Sequence, residues 1–171
     1  AGVREPGELR FLIDEVEVFL TGSRPTHATD RVLATVLFTD IVDSTPRVVE
    51  LGDARWRELL EQHDELAEAE VARFGGTISD FAGDGLLATF DGPARAIHAA
   101  LAIGASLKAL GIELRAGVHA GECELGADDV RGIAVHVGAR IAQLAGAGEI
   151  FVSATVRELV AGSGIAFVDR G

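Results

Sequence analysis

The run from Ala34 to Thr45, ATVLFTDIVDST, constrains the fold more than any other stretch of the chain. Val36 and Phe38 point to one side of an extended segment and Leu37 and Thr39 to the other, so this short, β-rich, apolar run fits a strand buried on both faces. Asp40 stands at its end. From Ile41 to Thr45 the chain turns toward a helix, with Asp43, Ser44 and Thr45 offering N-cap oxygens and Pro46 suited to the first turn. A carboxylate therefore lies where a core strand stops and free backbone N–H groups begin. A divalent cation carrying a polyphosphate needs that pairing of acid and donors. Taken alone, the same aspartate also reads as a simple turn cap.

Length and charge narrow the setting. With 171 residues there is room for one domain with a real core and a short appendage. The chain is 48% hydrophobic but only 5% aromatic, with no Tyr and one Trp, so the core has to be aliphatic. A net charge of −12 argues against nucleic acid or an anionic membrane as partner, and a nucleotide bound here would need metal ions to offset repulsion. The single cysteine, Cys123, excludes an internal disulfide framework and suits a reducing cytoplasm, with a small buried apolar residue as its expected role. No apolar run approaches the ~18–20 residues of a membrane span, and no signal peptide is visible. The absence of Met leads us to expect a piece of a longer protein.

Residues 1–30 read as an appendage: Leu9, Leu12, Ile13, Val16, Phe19 and Leu20 give Gly7–Leu20 an amphipathic helical spacing, and Thr21–Asp30 is a turn-rich linker. The helix would connect to an upstream domain, mediate dimerisation or pack on the domain that follows. Residues 31–171 then alternate. A helical stripe of Trp56, Leu59, Leu60, His63, Leu66, Ala67 and Val71 stops at Gly75-Gly76, and TISDF and LLATF flank a Gly83-Asp84-Gly85 corner, a hairpin signal. A helix from Asp91 to Leu110, a strand from Ile112 to Ala120 and an acidic, glycine-containing loop from Gly121 to Arg131 follow. A helix over Ile133–Leu144, with Ile133, Val137, Ile141 and Leu144 as its expected buried stripe, leads to a strand at Glu149–Val152, a helix at Ala154–Val160 and a strand at Ile165–Val168. The order predicts an α+β fold with a ferredoxin-like βαββαβ sheet core and additional C-terminal α and β elements. In that topology the first strand lies beside the hairpin, which brings Asp40 close to Asp84.

Two carboxylates at one sheet edge, on nearly side-chain-free turns, form a plausible site for two hard cations about 3.5–4 Å apart. Gly83 and Gly85 would let phosphates approach the backbone, although Asp-Gly is also simply a good hairpin turn. On the helix around Arg140, His136 and Arg140 share a face at i, i+4. Arg140 could donate two hydrogen bonds to a phosphate and His136 could orient a sugar, or the face could be an ordinary solvated one. Other patterns fail on context. Gly83-x-Gly85-x-x-Ala88 is followed by strand residues where a dinucleotide fingerprint requires a helix, and neither a phosphate loop nor a zinc spacing occurs.

Together LFTDIVDST, AGDGLLATFDGPARA and DDVRGIAVHVGAR resemble the catalytic domain of class III nucleotidyl cyclases, particularly bacterial adenylyl cyclases of the actinobacterial type, over roughly Arg31 to Gly171. The resemblance implies two Mg or Mn ions on Asp40 and Asp84, with the backbone of Ile41, Val42, Asp43, Ser44 and Thr45 touching metal and phosphates. It puts the transition-state arginine at Arg140 and the ribose-orienting group, usually Asn, at His136. It also implies a head-to-tail homodimer in which one protomer gives the metal aspartates and the other gives the arginine and base-reading residues. The base-reading pair falls on Asp80, where the family usually has Lys, and Asp129. An ionised Asp80 cannot donate to adenine N1 but can accept from guanine N1–H and its 2-amino group. The expected reaction is ATP to 3′,5′-cyclic AMP and pyrophosphate. The alternatives are the same reaction on GTP and a catalytically silent nucleotide-binding domain. Similar proteins usually continue past Gly171 into a short strand containing a lysine.

Overall fold

The computed structural model describes residues 31–126 and 129–170. The expected helix at Gly7–Leu20 and its linker lie outside the described residues. Six strands and five helices follow in order: β1 (Arg31–Ile41), α1 (Ser44–Leu51), α2 (Asp53–Arg73), β2 (Thr77–Ala82), β3 (Gly85–Phe90), α3 (Pro93–Ala109), β4 (Leu114–Leu125), β5 (Val130–Arg131), α4 (Ile133–Leu144), β6 (Ile150–Val152) and α5 (Ala154–Leu159). The strands form one mixed sheet in the order β2-β3-β1-β4-β5, with β6 added parallel to β4. This is the α+β arrangement expected from the sequence, with β1 central and both of its neighbours antiparallel.

Alternation along β1 divides the core in two. Leu37 and Ile41 face one way, with Leu86, Ala88 and Phe90 of β3 and Leu114, Ala116 and Val118 of β4, and are covered by Ala67 and Val71 of α2 and Ile97, Ile103 and Leu107 of α3. Ala34, Val36 and Phe38 face the other way with Cys123 and meet α4 at Ala134. Cys123 is buried, as expected, and burial raises its thiol pKa. On this second face α4 lies directly on the strands. A Cβ on Gly117 would fall 2.3 Å from the Ala142 backbone nitrogen, and one on Gly138 would fall 2.7 Å from Val36 Cγ2.

That contact corrects the expected stripe of α4. Ala134, Gly138 and Ala142 are the buried residues, whereas Ile133 is 81% and Leu144 70% exposed. Close approach of a helix to bare strand backbone requires small side chains on the buried side, so the larger aliphatics turn outward. The expected loop from Gly121 to Arg131 is also largely strand. β4 runs on to Leu125 because Gly121 to Glu124 pair with Ala34 to Arg31, and Glu124 meets Arg31 at 3.2 Å. Leu125 then pairs with Val130 of β5. Ile165–Val168, expected as a strand, has no regular structure: Ile165 and Phe167 pack on the core without joining a ladder. Their alternation records one-sided burial only.

Candidate functional site

Asp40 is the last polar residue of β1, and its register fixes its surroundings. It lies directly opposite Gly85 on β3 and opposite Arg115 on β4. The Asp84 turn is therefore one residue from the cross-strand partner of Asp40, although the two aspartates are far apart in sequence. Gly83 makes this turn with φ +69°, and a Cβ there would meet nothing within 4 Å, so the corner is open. Asp84 is half-buried. Beyond Asp40, the Val42 N–H donates to the Glu113 carbonyl at 2.9 Å and ties the chain to the start of β4. Asp43 then takes a left-handed conformation, φ 56°, as N-cap of α1. It caps without a side-chain hydrogen bond, in contrast to the capping oxygen expected of it. Ser44 and Thr45 form the first helical residues and Pro46 follows in the first turn.

The carboxylate of Asp40 is engaged. Arg115 Nε donates to Asp40 Oδ2 at 2.8 Å, and Arg115 Nη2 donates to the same oxygen. Sequence reasoning missed Arg115, because nothing local marks it. It shares a face with Gly117 and His119, away from the aliphatic positions Leu114, Ala116 and Val118, and only the pairing of β4 with β1 brings it to Asp40.

Among the described residues, no cluster of three or more His, Cys, Asp or Glu side chains could by itself hold a metal ion. Asp40, Asp84 and the Ile41 carbonyl are nonetheless hard oxygen donors of the kind Mg and Mn take, provided that nucleotide oxygens complete the shell.

On the opposite side of α4 from its sheet contacts, His136 and Arg140 are exposed and form no side-chain hydrogen bond or ion pair among the described residues. Arg140 makes no ion pair with Asp40 of its own chain, whose carboxylate is held by Arg115. Asp80 sits on β2 just after a register shift at Ile78, is exposed and is likewise unpaired among the described residues. Asp129 differs: its Oδ2 accepts from Arg131 Nε at 2.6 Å, and this contact raises the Arg131 pKa. Near the N-terminal end of α4, His119 Nδ1 lies 2.9 Å from Ser153 Oγ, and burial lowers the imidazole pKa.

No family model matches the chain. It is 32% identical over 158 residues to "Putative adenylate cyclase 3" of Rhizobium meliloti (strain 1021), a match covering 82% of this chain and 26% of that protein. The chain thus spans about a quarter of the length of this curated relative. The adenylate/guanylate cyclase/hydrolase of Silicibacter pomeroyi superposes with a TM-score of 0.75 at 28% identity, over 83% of this chain and 88% of that one. The adenylyl cyclase CyaB of P. aeruginosa gives 0.72 at 26% identity, over 77% and 82% respectively. Sheet order, the motifs around Asp40, Asp84 and Arg140, and these likenesses coincide, and the chain belongs to the class III nucleotidyl cyclase catalytic domains.

Proposed function

We propose that this domain is an adenylyl cyclase that converts ATP to 3′,5′-cyclic AMP and pyrophosphate at sites shared between two copies of the chain. The observation that carries the reading is the register of β1 against β3, which seats Asp40 beside the Asp84 turn while Arg140 stands on an outward helix face with no side-chain partner among the described residues. Asp40, Asp84 and the Ile41 carbonyl would hold two divalent ions, Mg or Mn. When bound, these supply positive charge that eases ionisation of the ribose 3′-hydroxyl and departure of pyrophosphate.

The chain's own residues do the positioning. The backbone from Ile41 to Thr45, with Val42 and Asp43 at the bend and the free N–H groups of Ser44 and Thr45, cradles the phosphates beside Gly83. The ribose 3′-oxygen bonds to the α-phosphorus as the bond to the bridging oxygen of pyrophosphate breaks, and the hydroxyl proton passes to water. Arg140 of a second copy donates to the α-phosphate as charge builds there, and His136 beside it orients the ribose. Asp80 and Asp129 read the base. A homodimer is further supported by Ile133 and Leu144, exposed aliphatics on the helix that carries Arg140.

GTP is the second reading, supported by Asp80. A carboxylate at the base-reading position accepts from guanine and has no donor for adenine N1. Assaying ATP and GTP side by side with Mn separates the two, and a clear GTP preference replaces the substrate assignment. Complementation tests the shared site. Asp40→Ala and Arg140→Ala should each lose ~10²–10³-fold or more in rate. Mixed, they should recover about a quarter of the activity by random exchange, since each mixed dimer keeps one intact site. No recovery despite verified exchange rules out sharing. No cyclic nucleotide from any metal leaves a silent nucleotide-binding domain.

A further inference from the structure

Arg115 has no role in the mechanism above, yet it occupies the residue on which that mechanism turns. It faces Asp40 across the antiparallel ladder, and two of its nitrogens converge on one oxygen, Asp40 Oδ2. The pair is neither sealed nor fully solvated, with side chains 35% and 32% exposed. The tie from Val42 to Glu113 closes the strands just beyond it, so the two side chains stay opposed. Arg115 has no other side-chain partner among the described residues.

We propose that Arg115 is a positioning residue that acts as the resident counter-ion of Asp40 and makes divalent-cation binding at this sheet end depend on nucleotide. The inference rests on the reading of Asp40 as a metal ligand. With Oδ2 engaged, a cation can approach only Oδ1, a few ångströms from a guanidinium of like charge, where repulsion is appreciable in a half-exposed site. The described residues offer no third carboxylate or imidazole to offset that cost. A polyphosphate changes the balance, because it brings oxygens to complete the metal's shell and negative charge that gives the guanidinium a second anion. Cation and nucleotide then strengthen one another's binding, and the coupling is reciprocal.

The test is Mn²⁺ binding to the full chain, followed by the electron paramagnetic resonance of free Mn²⁺, with and without α,β-methylene ATP, so that no turnover enters the readout. Wild-type protein should bind Mn²⁺ weakly alone and at least about tenfold more tightly with the analogue. Arg115→Gln should bind Mn²⁺ alone about tenfold more tightly than wild type, on the scale of one charge-assisted contact removed, and the strengthening by the analogue should shrink correspondingly. Arg115→Lys, which keeps the charge but has one donor centre, should fall between them and serves as the second variant if glutamine impairs folding. Arg115→Gln with unchanged or weaker Mn²⁺ binding, or with undiminished coupling, overturns the proposal. Asp40→Asn makes the failures distinguishable. If it does not alter Mn²⁺ binding, the metal reading of Asp40 falls as well, whereas sensitivity to Asp40→Asn with indifference to Arg115→Gln overturns the counter-ion role alone.

Discussion

On one face of the sheet, Leu37, Ile41, Leu86 and Phe90 meet large aliphatic side chains from α2 and α3, and on the other Val36 and Phe38 meet Gly138, with Ala134 and Ala142 along the same helix. The first face is closed within the chain, by branched residues whose burial supplies most of the stability. The second is roofed by a single helix resting on small residues, with Ile133, His136, Arg140 and Leu144 facing outward. The Asp40–Arg115 pair lies at the end of this second face. The two layers answer to different demands: one is filled for stability, and the other is thin and leaves polar groups available at its surface.

If the two layers differ in this way, substitutions on the two faces behave differently. The largest effect should come from Asp84→Ala, which should lower cyclase activity ~10²–10³-fold while leaving the melting curve nearly unchanged. An equal loss of stability would make Asp84 a structural turn residue. Ile103→Ala, in the closed layer, should do the opposite. It should cost about 2–5 kcal/mol in denaturant unfolding and leave the activity of the folded fraction intact.

How much of this was readable in advance follows the same division. β1, the hairpin and the meeting of Asp40 with the Asp84 turn were legible because alternation and Gly-Asp-Gly punctuation are local signals whose topology allows few solutions. α4 was located correctly and turned the wrong way. Periodicity identifies two stripes, Ile133-Val137-Ile141-Leu144 and Ala134-Gly138-Ala142, and the assumption that bulk goes inward fails where a helix sits on bare strand backbone. Arg115 was invisible for another reason. Its partner is 75 positions away, and only strand register joins them. The loop that proved to be the end of β4 and β5 was misread because acids and glycine mark loops by composition, whereas here Glu122 and Glu124 alternate with buried Cys123 along a strand and Gly121 lies beneath Ala134 of α4.

A smaller effect sharpens the contrast at the surface. Ile133→Asp combined with Leu144→Asp should weaken self-association by about tenfold or more, measured by sedimentation equilibrium at several concentrations, with little change in unimolecular stability. An unaltered association constant would place the subunit contact elsewhere. The smallest effect should be in pH dependence. Burial holds the His119 pKa below the ordinary imidazole value of 6.5, so the unfolded chain takes up a proton first as pH falls. Stability from this group is complete above about pH 6.5 and declines below it. Unfolding curves between pH 5.5 and 7.5 should therefore shift for wild type, and the shift should be smaller for His119→Gln. An identical slope in both would clear His119 of any part in acid sensitivity.

Gly117 and Arg115 are two residues apart on β4, one bearing the weight of α4 and the other gripping Asp40. That spacing makes a single strand the common ruler for both contacts. A tilt of the helix that carries Arg140 would tug on the same peptide units that aim the guanidinium at the carboxylate, so a disturbance arriving at the outward face of α4 has a short mechanical route to Asp40.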